Sequence, residues 1–158
     1  GSRDRFTSDF ARERALIASL IRQVEVEAGS RRVLIPRLRG LEDSSRSWSI
    51  WMTLDHLRIV HVEIDRVITS LCRNERPSGE ASTAAVKPRA DIGVSAAAEY
   101  ERSRDALLST IAAQPALETR LRFAHPWFGP LSAAGWHALA GMHMAIHRKQ
   151  IERILALS

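Results

Sequence analysis

The sequence predicts an all-α protein with the architecture of a four-helix bundle, and three observations lead to this prediction. Proline and glycine divide the chain into four long stretches, and apolar residues recur at helical spacing in each of them. No stretch of useful length alternates between apolar and polar residues as a strand would, and no internal repeat is present. Hydrophobic residues make up 45% of the 158 residues, which is enough for helices to bury a core. We therefore expect one bundle domain over residues 3–158, with Gly1 and Ser2 remaining from cloning.

Two helices are predicted in the first half of the chain. The first covers residues 8–27, and Gly29 after it is expected to form a glycine C-terminal cap. The second is predicted to begin at Ser47 or Ser49, because either hydroxyl can accept a hydrogen bond from the free N–H groups of a first turn. Its apolar stripe continues to about Asn74.

Two further helices are predicted in the second half. The third covers residues 94–113 and is stopped by Pro115, and the fourth begins after the cap Ser132 and continues to about Leu157. The connection between helices two and three, residues 75–93, is far longer than an antiparallel hairpin needs. A connection of that reach can follow the whole length of a bundle, about 35 Å, so we expect one long crossover here.

The charge is basic but mixed along the chain. The 23 Lys and Arg residues exceed the 18 Asp and Glu residues and give a net charge of +5. Interspersed charges of both signs are typical of solvated helices. One segment carries four arginines and no acid, namely Arg31, Arg32, Arg37 and Arg39. No aromatic residues alternate with these arginines, so nucleic-acid binding through this segment is only a minor alternative.

Cysteine content and apolar run length give an expectation for location. Cys72 is the single cysteine, which excludes an internal disulfide and favours a reducing cytoplasm. The apolar runs are much shorter than the roughly 18–20 residues of a membrane span, and the beginning of the sequence has no secretory signal pattern. We therefore expect a cytoplasmic protein without a membrane partner.

The most informative residues are two histidines in the fourth helix. His143 and His147 are four residues apart, so they lie on one helix face about 6 Å from each other. This face is also the inward face of the helix, and imidazoles buried there need polar partners. Two such rings can converge on one metal ion, while a hydrogen-bonded core pair is the alternative.

A third metal ligand would have to come from another helix, and the second helix offers His56 and His61. These two are five residues apart, which turns them about 140° from each other, so they cannot both face one ion. Periodicity slightly favours His61, because it falls on the apolar stripe of the helix. The residues alone leave this choice open.

Several catalytic classes are excluded by their missing motifs. Met144 follows the first histidine of the pair where a zinc protease has glutamate. The sequence contains no Glu-x-x-His pair for a di-iron site, no nucleophile elbow, and no phosphate- or dinucleotide-binding glycine loop. The residues do not identify a catalytic side chain.

Two segments resemble the DinB/YfiT-like metalloenzyme family. The segment 47–57, Ser-Trp-Ser-Ile-Trp-Met-Thr-Leu-Asp-His-Leu, is similar to the second-helix signature of that family. The segment 125–132, His-Pro-Trp-Phe-Gly-Pro-Leu-Ser, is similar to the last loop of the family. Trp136 and the segment 143–151 are similar to the last helix of the family. The resemblance extends over most of the chain.

This resemblance implies a site, a cofactor and a reaction class. In the family, one histidine of the second helix and an i, i+4 pair of the last helix bind a divalent metal such as zinc or nickel. The resemblance therefore implies His56, His143 and His147 as ligands in this chain, and a four-helix bundle that is often dimeric. Characterised members include transferases and isomerases that use low-molecular-weight thiols, so thiol-dependent transfer is one expected reaction and hydrolysis is the other. A metal that only braces the bundle is the non-enzymatic alternative.

Two residues near the predicted ligands are candidates for substrate binding, and the second helix is a candidate for assembly. Trp136 and His125 are expected at the mouth of a substrate site, although for Trp136 ordinary core packing is the favoured explanation. The second helix is apolar beyond its main stripe, for example at Trp51 and Val62, and a helix of a four-helix bundle cannot be enclosed on every side. Together with the resemblance, this predicts a homodimer.

Overall fold

The computed structural model describes residues 2–158 and contains four long helices, which confirms the predicted bundle. The helices are α1 (Ser2–Ile21), α2 (Ile50–Cys72), α3 (Ser95–Ala113) and α4 (Ala133–Ala156). Ser2, which the sequence assigned to cloning, begins α1, and Gly1 lies outside the described residues.

A small hairpin interrupts the all-helical prediction between α3 and α4. Strand β1 (Phe123–His125) pairs antiparallel with β2 (Gly129–Leu131), in a register that places Ala124 opposite Pro130. The sequence gives no signal of this hairpin, because three-residue strands are too short to produce a recognisable alternation. A turn of Pro126, Trp127 and Phe128 connects them, and Gly129 closes it at a φ of +69°, a conformation that favours glycine.

The predicted serine caps begin α2 and α4. The Ser49 hydroxyl accepts a hydrogen bond from the Met52 N–H at 3.1 Å, and Ser132 accepts one from the Gly135 N–H at 3.3 Å. These contacts satisfy backbone donors that the first turn of a helix leaves free. Of the two serines predicted as possible caps of α2, Ser47 and Ser49, the structure therefore selects Ser49.

The predicted end of the first helix is wrong. Helix α1 ends at Ile21, and Gly29 lies in a short 3₁₀ turn, Ala28–Ser30, well beyond it. The reason for glycine is close packing: a Cβ on Gly29 would lie 2.2 Å from the Trp51 ring. The Trp51 indole N–H also donates to the Val26 carbonyl at 2.8 Å, so this connection is fastened onto the start of α2.

Helices α1 and α4 are parallel, and α2 is antiparallel to α4. Contacts between α1 and α4 advance together along both helices, from Phe6 with His137 to the ion pair of Glu13 with Arg148. Along α2 and the residues just before it, contacts with α4 run in opposite directions: residues further along one segment meet residues earlier in the other. Here the Gln150 amide donates to the Ser45 carbonyl at 2.7 Å, while His56 lies against His143.

Helices α2 and α3 are parallel, and this makes the predicted long crossover necessary. The Arg58 side chain lies 3.6 Å from Glu99 near the start of both helices, and Thr110 donates to Asp65 at 2.7 Å further along. Because two parallel neighbours begin at the same end, the connection 73–94 has to return along the full length of α2. The bundle therefore has an up-down-down-up order with one crossover.

The crossover is anchored to α2 at a buried carboxylate. Asp55 is completely buried and accepts hydrogen bonds from the Arg89 backbone N–H at 2.9 Å and from the Arg89 guanidinium at 2.8 Å. Arg58 donates to the same carboxylate at 3.0 Å. Burial alone would raise the pKa of Asp55, but the hydrogen bonds from Arg89 and Arg58 hold this pKa below its ordinary value. The carboxylate therefore stays charged and keeps the crossover against α2.

One apolar core fills the space between the helices. Its largest fully buried side chains include Trp51, Tyr100, Phe10, Ile17 and Leu54. No helix in residues 2–158 is both long enough and apolar enough to cross a membrane.

The contact of Gly29 with Trp51 gives a test of the fold. We expect Gly29→Ala to lower the free energy of unfolding by about 1–3 kcal/mol, because the added methyl group forces the Trp51 ring to move. Urea denaturation followed by circular dichroism measures this. Gly93→Ala is the matched control, since nothing lies within 4 Å of a Cβ at Gly93, and its effect should stay within about 0.5 kcal/mol. Equal effects of the two substitutions would contradict the packing assigned to Gly29.

Candidate metal centre

The structure brings together His56 of α2 with His143 and His147 of α4. One ring nitrogen of each lies within 4.8 Å of those of the other two. His143 Nε2 is 2.9 Å from His56 Nε2 and 3.1 Å from His147 Nε2. The i, i+4 spacing places the α4 pair on one face, and antiparallel packing places His56 opposite that face. These are the three residues that the family resemblance implies.

The outward nitrogens of two rings have fixed acceptors. His56 Nδ1 donates to the Val86 carbonyl at 2.7 Å, and His147 Nδ1 donates to Gln150 Oε1 at 2.8 Å. The Gln150 amide nitrogen donates to the Ser45 carbonyl at 2.7 Å, which fixes the orientation of the amide. A carbonyl oxygen only accepts, so the ring proton of His56 and of His147 is on Nδ1 and the Nε2 lone pair is free.

These tautomers make the centre of the group electron-rich. The Nε2 lone pairs of His56 and His147 both face His143 Nε2, which can donate a proton to only one of them. A cation between the three nitrogens removes this conflict. Nitrogen ligands of a tetrahedral zinc ion are about 3.3 Å apart, since each lies about 2.0–2.1 Å from the metal. The separations of 2.9 and 3.1 Å between His143 Nε2 and the other two Nε2 atoms are close to this value, so the residues fit a divalent ion.

Burial keeps the three rings neutral, which is the form that binds metal. Burial lowers the pKa of His56 to about 4. Burial, together with the neighbouring rings His147 and His56, lowers the pKa of His143 well below its ordinary value, and burial and His56 do the same for His147. Trp48 adds to this environment, because its ring lies 5.0 Å from the His56 ring and 6.0 Å from the His147 ring.

His61, which periodicity slightly favoured, does not join this group. It is completely buried on a different face of α2, where its ring lies 5.6 Å from Phe10 and 5.9 Å from Tyr100. Neither ring nitrogen has a hydrogen-bond partner among residues 2–158. His137 is also buried in the core, with its Nε2 3.4 Å from the Thr7 hydroxyl.

The three histidines line a cavity of about 930 Å³. Its walls come from α2, α4, the crossover and the hairpin. Both residues predicted to bind substrate also line it, but in different ways. Trp136 is 3% exposed and its indole N–H donates to the Phe123 carbonyl at 3.2 Å, so it supports the hairpin. His125 lies half-buried at the end of β1.

Sequence reasoning missed the groups that orient the histidines. Gln150 follows His147 by three residues, and a buried polar side chain at that spacing was a usable signal. The Val86 carbonyl had no comparable signal in the sequence. Every residue has a backbone carbonyl, so only the path of the crossover decides which one meets His56. Such outer partners fix ring orientation in metal sites.

Comparison with known proteins supports the fold alone. No family profile and no curated protein matches the chain. A solved structure, described as TT2238, a four-helix bundle protein, is similar over 95% of this chain and 98% of that one, with a TM-score of 0.67 and 23% sequence identity. This likeness is consistent with the four-helix bundle and carries no information on the site.

The environment of His61 predicts a gain in stability when the ring is removed. At pH 7, we expect His61→Leu to raise the free energy of unfolding by about 1–2 kcal/mol, because leucine removes two buried nitrogens that have no protein partner. Urea denaturation in the presence of a chelator measures this. In the matched variant His137→Leu, the gain should be smaller, since the Thr7 hydroxyl then loses its contact with His137.

The stability gain of His61→Leu should depend on pH. A histidine of the unfolded chain takes up a proton below about pH 6.5, whereas burial lowers the pKa of His61 to about 3. Acid therefore favours the unfolded wild type as the pH falls from 6.5 toward 3. The advantage of His61→Leu should grow over this window by up to about 1.4 kcal/mol per pH unit. Loss of stability at pH 7, or loss of zinc binding, would instead assign His61 a partner or a ligand role.

Proposed function

We propose that the chain is a metal-dependent enzyme of the DinB-like type, with one zinc or nickel ion held by His56, His143 and His147. The observation that carries this proposal is the convergence of three neutral Nε2 atoms at the wall of a large cavity. Three histidines are the protein ligand set of some catalytic zinc sites, in which the fourth position is open. A divalent ion in such a site supplies Lewis-acid activation of a water or a small thiol.

The residues of the chain prepare this site for chemistry. Val86 and Gln150 hold the rings of His56 and His147 in place, so the lone pairs are oriented before any ligand arrives. The cavity is of the size of small-molecule sites, about 300–1,000 Å³, and the surface that lines it is mostly apolar. This supports a small-molecule substrate, with thiol-dependent transfer or hydrolysis as the reaction and a low-molecular-weight thiol as co-substrate in the first case.

A metal that only braces the bundle is the alternative from another class. Structural zinc sites use four protein ligands. In the part of the chain that the structure describes, the group consists of three histidines, and all three line the cavity. This arrangement favours an enzyme over a brace.

Nucleic-acid binding through the arginine segment has less support. Arg32 donates to the Ser47 carbonyl at 2.9 Å, and Arg37 lies 3.4 Å from the Asp43 carboxylate. Arg39 lines the cavity. Three of the four arginines therefore have contacts within the fold or at the cavity, and no aromatic side chains alternate with them to stack on bases.

We also propose that the protein is a cytoplasmic homodimer. The single cysteine supports a reducing compartment. Of the apolar residues of α2 beyond its main stripe, Trp51 and Val67 are buried in the core, while Val62 is 55% exposed. Met142 of α4, which is 44% exposed, is a second exposed apolar side chain that lines the cavity. Exposed apolar groups of this kind favour a contact with a second copy.

Metal analysis tests the ligand set. Wild type purified without chelator or affinity tag should contain about one zinc or nickel ion per chain, measured by mass spectrometry of the metals. His143→Ala, His147→Ala and His56→Ala should each lower metal affinity by more than about 100-fold, because a first ligand matters more than an outer one. His61→Leu is the matched control and should keep the metal. Unchanged metal content in the three alanine variants would place the site elsewhere.

Turnover distinguishes the enzyme from the brace. A screen of small thiols with electrophiles, and of hydrolysable esters and amides, should find turnover that requires the metal and disappears in His143→Ala. If the metal is bound but its removal changes only the free energy of unfolding, the metal is a brace.

The mass in solution tests the dimer. Light scattering at micromolar concentration should give about twice the chain mass of 17.7 kDa. Val62→Glu should shift the mass toward one chain if α2 contributes to the contact, because a buried carboxylate opposes association. A wild-type mass near that of one chain would exclude the dimer.

A further inference from the structure

The hairpin fixes the protonation of His125 in a way that the proposed metal site does not require. His125 Nδ1 accepts hydrogen bonds from the backbone N–H groups of Trp127 at 3.1 Å and Phe128 at 3.4 Å. A nitrogen that accepts carries no proton, so the neutral ring has its proton on Nε2. His125 is thus a hydrogen-bond donor at Nε2.

The ring of His125 is also held in position. Its centroid lies 5.0 Å from the Phe128 ring and 5.5 Å from the Trp136 ring. Trp136 is itself fixed by its bond to the Phe123 carbonyl. The donor is therefore oriented by the protein before a ligand binds, which lowers the entropic cost of using it.

The residue that carries this donor lines the cavity together with an apolar surface. His125 lines the same cavity as the three histidines, and its Nε2 has no hydrogen-bond partner among residues 2–158. The exposed side chains of Trp127, Phe128 and Val62 line the cavity as well, and each is at least half exposed. A ligand that satisfies both features needs an oxygen acceptor joined to an apolar body.

We propose that His125 is a substrate-binding residue, whose Nε2–H donates to a carbonyl or carboxylate oxygen of a ligand with an apolar, aromatic-sized body. The inference rests on the proposed function in one respect, namely that the cavity holds the substrate. The apolar body lies against Trp127 and Phe128 of the hairpin. The hairpin turn thereby selects substrates that have an oxygen acceptor.

A series of three probes with the same apolar body tests this assignment. The probes are 4-phenylbutan-2-one, 4-phenylbutanoate and butylbenzene, and their affinities are measured by NMR titration of the full chain. Wild type should bind the ketone about 3- to 10-fold more tightly than butylbenzene, the gain from one hydrogen bond. Tighter binding of both the ketone and the carboxylate indicates oxygen acceptors in general. A preference for the carboxylate alone would assign the gain to cationic side chains such as Lys87, which also lines the cavity, and would overturn the inference. Equal affinities of all three probes would overturn the inference.

Variants of His125 assign the preference to its ring. His125→Phe keeps an aromatic ring without the donor, and the preference should disappear. His125→Gln retains an amide that can both accept and donate, so it should keep part of the preference. A preference that survives in His125→Phe would overturn the assignment. Nitrogen chemical shifts of the wild-type ring should show the proton on Nε2, and a proton on Nδ1 would also overturn it.

His143→Ala separates this inference from the proposed metal function. The substitution removes a proposed ligand, and the preference for the oxygen-bearing probe should persist because His125 supplies the contact. If wild type contains no metal but shows the preference, the metal function fails and the inference stands. If the preference disappears in His143→Ala but not in His125→Phe, the metal site makes the contact and the inference fails.

Discussion

The hydrogen bond from His56 Nδ1 to the Val86 carbonyl joins the topology of the bundle to its candidate site. Because α2 and α3 are parallel, their connection has to return along α2, and it passes beside the start of that helix. There it places Val86 on His56 and Arg89 on the neighbouring Asp55. The crossover therefore both closes the fold and fixes the tautomer of one proposed ligand. A simple up-and-down bundle would have a short connection at the far end of α2 and no such partner for His56.

The proposed metal site occupies positions that would otherwise hold apolar side chains. His147 and Gln150 are buried on the inward face of α4, which also carries Met144 and Ile151. Leucine at positions 147 and 150 would need no hydrogen-bond partners, whereas His147 and Gln150 depend on each other, on His143 and on the Ser45 carbonyl. A sequence that is consistent elsewhere but breaks the apolar pattern at one place points to function at that place. This break in the apolar pattern is consistent with the proposed metal site.

The sequence predicted the helices well, but it placed His56 in the group with His143 and His147 only through resemblance. Ser49 and Ser132 mark helix starts by a local hydrogen bond, so they are readable from the residues. Periodicity slightly favoured His61 because it assumes one inward stripe, whereas α2 packs against α3, α4 and the crossover and so has buried residues on several faces. His61 faces the core at Tyr100, and His56 faces the cavity. The end of α1 and the short hairpin depend on tertiary packing, which local patterns do not record.

Helices and connections have separate roles around the cavity. The three histidines come from α2 and α4, whose backbones are fixed by the core, so their mutual geometry is rigid. The opposite walls come from the crossover and the hairpin, and the hairpin presents His125, Trp127 and Phe128. Connections accept substitution more readily than packed helices. A change in the hairpin can therefore alter which small molecule fits the cavity without moving the histidines, so the proposed substrate preference and the proposed metal site can change independently.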